Sequence, residues 1–335
     1  MNLTSIGDLA QNLLLRNRSA EIKSTIATLT QELSTGQTAN VSTHLGGDYT
    51  YLSEIDRNLS RLSGFAVAAS EAAVLAGASQ LALEQVHDVA SKLGLDLLTS
   101  LPSTLQPARS QATEQAKSGL KTVINALNGS AAGRSLFSGT ATDRAPLATA
   151  DTLLSDLKTQ VAGLVSASDV LTAIDDWFAD AAGFDAVMYT GSDQTLAAIQ
   201  VGAGEYVNLS LRADNADLKQ MIRNTAVAAL AADPDLALNA DVQNELLHTA
   251  GEGFLQSEGS LTSLRADLGY AESRIEQAST RNASARTGLE FARNELLEAD
   301  PYDTAARLQE VQFQLESLYA VTVRNSRLSL LNFLK

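Results

Sequence analysis

The sequence has no cysteine. Disulfides and thiolate metal centres are therefore excluded. Aromatic residues make up only 5% of the 335 positions, so a hydrophobic fraction of 45% rests mainly on Ala and Leu. Such side chains suit close-packed helices better than β-sandwiches or roomy ligand pockets. Proline is scarce, with five residues at Pro102, Pro107, Pro146, Pro234 and Pro301. Because proline clashes inside a helix and removes a donor, their spacing predicts long helices at both chain ends. Basic charge is also short: 24 Lys and Arg face 39 Asp and Glu, for a net charge of -15. Phosphate binding needs clustered cations, so nucleic acid and anionic lipid are poor partners. No run approaches the roughly 18 consecutive apolar residues of a membrane span, and no membrane insertion is expected. Met1 to Arg18 has no basic region ahead of an apolar one, and Asp8 and Gln11-Asn12 interrupt it. The expectation is a chain without a cleaved signal peptide.

Catalytic patterns are lacking as well. His44, His87 and His248 are scattered, with no paired spacing for zinc, and His87 falls within a heptad pattern. There is no G-x-S-x-G elbow. Gly202-Ala203-Gly204 lacks the third glycine and following helix of a dinucleotide fingerprint and reads as a hairpin turn. Asp175, Asp176 and Asp180 lie in an acidic segment and read as a solvated face. No catalytic residue, metal ligand or cofactor is expected, and the chain reads as a non-enzyme.

What is present is periodicity. Leu15, Ile22, Ile26, Leu29 and Leu33 form a helical stripe that stops at Ser34-Thr35-Gly36. Residues 36–50 read as a connector. Two heptad series follow: Leu52, Leu59, Ala66, Ala73 and Gln80, and Ile55, Leu62, Ala69, Ala76, Leu83, Ala90 and Leu97. Together they predict a coiled-coil helix ending at Pro102 and Pro107. Ala116, Leu120, Val123 and Leu127 mark a third helix, closed by Asn128-Gly129. Residues 151–260 hold 17 acidic and 4 basic side chains, which is nearly all of the net charge. Within them, Ile199–Val201 and Tyr206–Leu211 flank Gly202–Glu205 as a hairpin, and 216–231 returns to helix. Helix resumes from about 253 to 298 and breaks at Ala299-Asp300-Pro301. The last helix carries Leu308, Val311, Leu315, Leu318 and Val321, then Leu328, Leu331 and Leu334. The two end stripes are most simply buried against each other and against neighbouring subunits.

The expected fold is mainly α: a long antiparallel coiled coil and helical bundle formed by both chain ends, with a smaller β-containing central domain. Three domains are expected: 1–45 with 299–335 as the terminal coiled coil, 46–147 with 253–298 as a helical bundle, and 148–252 as an acidic α/β domain facing outward.

The ends also resemble the bacterial flagellin family. Leu29 to Gly36 is similar to its helix-closing L-x-x-x-L-S-T/S-G segment, Leu297 to Ala305 to its acidic turn, and Gln309 to Leu334 to its last helix. Leu127-Asn128, Gly133 to Gly139, Pro146-Leu147, Tyr189-Thr190-Gly191 and Leu330 to Leu334 resemble the family's hook–filament junction branch. Residues 41–48 depart from the acidic segment usual after the first helix. The resemblance implies a secreted structural subunit of the flagellum that joins hook to filament by coiled-coil polymerisation. Its implied partners are copies of itself, another hook-associated protein, flagellin, and an export chaperone at the C-terminal helix. Type III export without cleavage is implied too. The rival readings are a filament flagellin and a secreted helical binding or adhesin module.

Overall fold

The computed structural model describes residues 3–100 and 105–333, and these are mainly helical. Ten α-helices occur among them: α1 Leu3–Thr35, α2 Val41–His44, α3 Thr50–Ser100, α4 Gln106–Leu127, α5 Ala150–Val161, α6 Ala167–Ala179, α7 Phe184–Val187, α8 Ala216–Leu230, α9 Ala240–Leu296 and α10 Pro301–Phe333. Two separate antiparallel hairpins complete them, β1 Ser130–Ala131 with β2 Arg134–Ser135, and β3 Ile199–Gly202 with β4 Glu205–Val207. The β content of the central segment is thus a single short ladder.

The helix ends follow from side-chain chemistry. Thr149, Ser166 and Asn215 each accept a backbone N–H at the start of α5, α6 and α8, satisfying donors that the first turn leaves free. Asp300 Oδ1 accepts from the N–H groups of Tyr302 and Asp303, so the Asp300-Pro301 break is the capped start of α10. Asn239 accepts from Val242 N–H, which starts α9 thirteen residues before the expected position near 253.

The chain divides into two compact units. The first comprises Met1–Leu62 and Ser284–Lys335, the second Ser63–Ala283. The division differs from the three domains expected. Residues 148–252 fall within the second unit, where α8 from that segment packs on α4 as well as on α5 and α6 and is buried along Met221–Leu230.

The second unit holds the main core. Within it α3 and α9 run antiparallel. Ser91 bonds Glu258 at 3.0 Å, Gly94 lies against Phe254, and Gly251 lies against Leu97 and Leu98. Ala69, Ala76, Leu83, Ala90 and Leu97 are buried as the heptads predict. The companion series moves by one residue: Ala66 and Ala73 are exposed, while Ala72, Val86 and Leu93 are buried. The alanines also make α3 the one described helix apolar enough on average to cross a membrane, with an 18-residue window of mean hydropathy 1.4. Trp177, Phe178 and Phe184 form an edge-and-stack cluster, with ring centroids 5.1 Å and 5.3 Å apart for the two closer pairs. Trp177 Nε1 donates to Asp156 at 2.6 Å.

The most deeply buried charge among the described residues lies there. Asp233, just after α8, receives Lys158 Nζ at 2.9 Å and Lys117 Nζ at 3.2 Å. Burial works to raise its pKa. Hydrogen bonds from Lys158, the Asp235 N–H and Lys117 outweigh this and hold it below the usual carboxylate value.

Candidate assembly surface

In the first unit, α1 and α10 pair antiparallel. The connector after α1 fixes the pairing. Thr38 N–H donates to Leu297 O at 2.9 Å, and Ala299 N–H donates to Gly36 O at 3.0 Å. Gln37 forms a β-bridge with Glu298, and its side chain donates to Asn294 at 3.0 Å. Glu32 Oε1 accepts the Ala39 N–H at 2.8 Å, folding the connector back on its helix. Further along, Lys23 Nζ stands 5.9 Å from the centre of the Tyr319 ring. Hydrogen bonds from Lys23, then Ser19, lower the pKa of the Tyr319 phenol.

The seam has a heptad rhythm. On α1 the covered positions are Leu15, Ser19, Ile22, Ile26 and Leu29; on α10 they are Thr304, Leu308, Val311, Leu315, Leu318 and Thr322. Steps of 4 and 3 alternate along both helices, as knobs-into-holes packing requires. Leu33 and Val321 stand off this seam, at 42% and 50% exposure. The geometry continues through Glu32 and Thr322 instead. Leu328 and Leu331 belong to α10, but their side chains lie outside the described residues, as does Leu334 altogether. Ser19, Thr304 and Thr322 are seam residues that a search for apolar stripes passes over. The repeat itself could have found them.

The core of this pair is unfinished. Ile22 and Leu29 are the only apolar side chains described on α1 that are buried, at 5% and 8% exposure. On α10, Leu308, Val311, Leu315 and Leu318 are all only half-covered. Leu13, Leu14, Phe313 and Val323 face solvent outright, Phe313 at 69%. Two helices of this length present two apolar flanks, and one partner helix covers only part of each.

In the second unit, the short motifs singled out along the sequence converge. Asn128 Nδ2 donates to Leu147 O and Leu147 N–H donates to Asn128 Oδ1, both at 2.9 Å. The side-chain amide thus stands in for a backbone partner. Leu147 bridges to Tyr189, and Thr190 N–H donates to Pro146 O at 2.8 Å. Phe137 and Ser138 are buried, and the Ser138 carbonyl accepts Ser192 N–H at 2.9 Å. Gly133 turns β1 into β2 at φ +75°. Gly139, at φ +61°, lies so close to the carbonyls of Ser192 and Gln194 that a Cβ would sit 2.8 Å from the first and nearer still to the second. Burial, then the Asp214 carboxylate, push the Tyr189 phenol up to about 12. The knot is a structural clamp joining segments 128–147, 189–194 and 212–214.

No group of carboxylates and imidazoles able to hold a metal occurs among the described residues. Asp175 is paired with Arg223 at 2.6 Å, and His248 is exposed beside Glu252.

Residues 256–334 match the family description "bacterial flagellin C-terminal helical region". No curated protein matches the chain. Among solved structures, the chain is similar to a protein of Vibrio parahaemolyticus assigned as a flagellar hook-associated protein. Identity is 12%, coverage is 73% of this chain and 95% of that one, and the TM-score is 0.49. A likeness of that size supports no inference about this chain.

Proposed function

We propose, from the premise that residues 256–334 are a bacterial flagellin C-terminal helical region, that this protein is a non-catalytic flagellar subunit joining hook to filament. The observation that carries the reading is the unfinished core of the α1–α10 pair. Most of its seam residues are only half-covered, and Leu13, Leu14, Phe313 and Val323 lie open beside them. Burying those side chains against identical neighbours completes the core and drives polymerisation. Such contacts join different faces of successive subunits and repeat without closing. The apolar run Leu328–Leu334 is the segment a chaperone would hold before export. The role at the junction is supported by the convergence of Asn128, Gly133–Gly139, Pro146-Leu147 and Tyr189–Gly191 on one clamp.

Purified protein added to isolated hooks tests both levels. A junction subunit adds a short segment and stops, after which flagellin extends it. Long homopolymers would refute the junction role and leave a filament subunit. Failure to add to hooks or to itself, with the second unit folded, would refute assembly altogether.

A further inference from the structure

The hairpin of the second unit opens into an unassigned cleft. The β3–β4 ladder ends at the Ile199–Val207 pair. Beyond it, Thr195–Ala198 and Asn208–Leu211 leave as two unpaired legs. Among the described residues, their backbone groups have no hydrogen-bond partner within the protein. Both legs border a cleft of about 420 Å³, within the range of ligand pockets. Leu75 from α3 and Leu264 and Leu268 from α9 also line it, with Leu136, Leu196 and Leu209. Ser135 lines it too, and its buried hydroxyl has no partner in the protein.

The rim sets the charge of an occupant. Arg134 is engaged by Glu71 at 2.5 Å, and Arg212 by Asp214 at 2.6 Å. The exposed Asp267 is left as the uncompensated rim charge among the described residues. A cation is favoured there and an anion disfavoured.

We propose that this cleft docks an extended peptide segment of a partner protein, with apolar residues flanked by Lys or Arg. Its backbone pairs with the free groups of the two legs, and its apolar side chains seat on Leu75, Leu264 and Leu268. This is strand addition: main-chain bonds supply affinity, and the apolar floor and the Asp267 carboxylate supply selectivity. The inference concerns the second unit alone and does not depend on the flagellar reading.

The test uses the full chain and a fluorescein-labelled, amidated hexapeptide, Lys-Val-Thr-Leu-Thr-Lys, read by fluorescence anisotropy. Saturable binding is expected at Kd of about 10–300 μM, the weak range for a short unordered ligand. Replacing both lysines by glutamate, or N-methylating the two threonines to remove donors, should weaken it about tenfold or more. Asp267→Lys, at an exposed position, should reverse the preference between the basic and acidic peptides, with Trp177 fluorescence unchanged as proof of folding. Hydrogen exchange should show new protection at residues 208–211. Absence of saturation up to about 1 mM would overturn the proposal. So would equal binding of the basic, acidic and N-methylated peptides, because that would make the cleft a non-selective apolar hollow.

Discussion

Gly139→Ala should unfold the second unit at a markedly lower temperature, and Gly133→Ala provides the internal control. Both glycines adopt left-handed backbone, at φ +61° and +75°. An alanine there costs about 1–2 kcal/mol from the Cβ clash alone. At Gly133 nothing else lies within 4 Å, so that is the whole cost. At Gly139 the new methyl meets the carbonyls of Ser192 and Gln194. Those carbonyls belong to a segment tied to the 138–140 loop by Ser192 N–H to Ser138 O at 2.9 Å and Thr140 N–H to Gln194 O at 3.0 Å. Displacing that segment sacrifices both bonds, at about 1 kcal/mol each. The total is about 3–4 kcal/mol. For a unit of this size each kcal/mol shifts the midpoint by about 2–4 °C, which predicts a fall of roughly 10 °C. The single tryptophan supplies the assay. Trp177 is buried in the second unit, so its fluorescence reports the melting of that unit and not of α1 and α10. Equal midpoints for the two variants would refute the reasoning, since it would mean the clamp contributes nothing beyond backbone strain.

Leu315→Asp places a charge in the half-covered seam and should destabilise the α1–α10 pair by about 2–3 kcal/mol. It should also block addition to hooks while the Trp177 signal stays native; normal motility of a strain carrying it would refute the seam's role. Ile22→Ala should cost about 2–4 kcal/mol in helix content of the first unit. Val321→Ala, off the seam, should stay within about 0.5 kcal/mol in the monomer yet impair assembly; circular dichroism and polymerisation assays separate the two. Asp233→Asn should cost about 2–4 kcal/mol near neutral pH, at the lower part of the range for a broken buried pair, since Lys117 and Lys158 retain some solvent. The carboxylate's pKa is lowered on folding. Its contribution is therefore complete above the unfolded value near 3.9 and is lost as pH falls through the folded one. Urea titrations of wild type and variant should converge below that range, and a gap that persists unchanged would refute the ion-pair account.

The sequence revealed the long helices best. The end stripes and the buried series from Ala69 to Leu97 follow a 3.5-residue repeat that solvent exclusion imposes directly. The one-residue shift on α3 was hidden because alanine occupies both sides: Ala72 is buried while Ala73 is exposed, and composition does not distinguish them. Leu33 and Val321 fall outside the seam within the chain, being apolar where that seam has already passed to Glu32 and Thr322. Helices α5 to α7 went unread because each is short and its orientation is decided by packing on α8 and the Trp177 cluster. The hairpin turn at Ala203-Gly204 was legible, since Gly204 takes φ +71°. The splaying of its legs was not, because it depends on a floor supplied by α3 and α9.

The bonds that join Gly36–Thr38 to Leu297–Ala299 have a kinetic consequence. These positions are about 260 residues apart, and closing so long a loop costs roughly 5 kcal/mol of chain entropy. Once that cost has been met at the connector, the two ends of the polypeptide behave as the arms of a tight helical hairpin. Every further seam contact is then local, and the pair can zip outward from the connector toward both termini. A contact map that joins the first residues to the last would suggest one of the slowest topologies. The connector gathers that long-range cost into a single closure and leaves the rest of the seam to form by local steps.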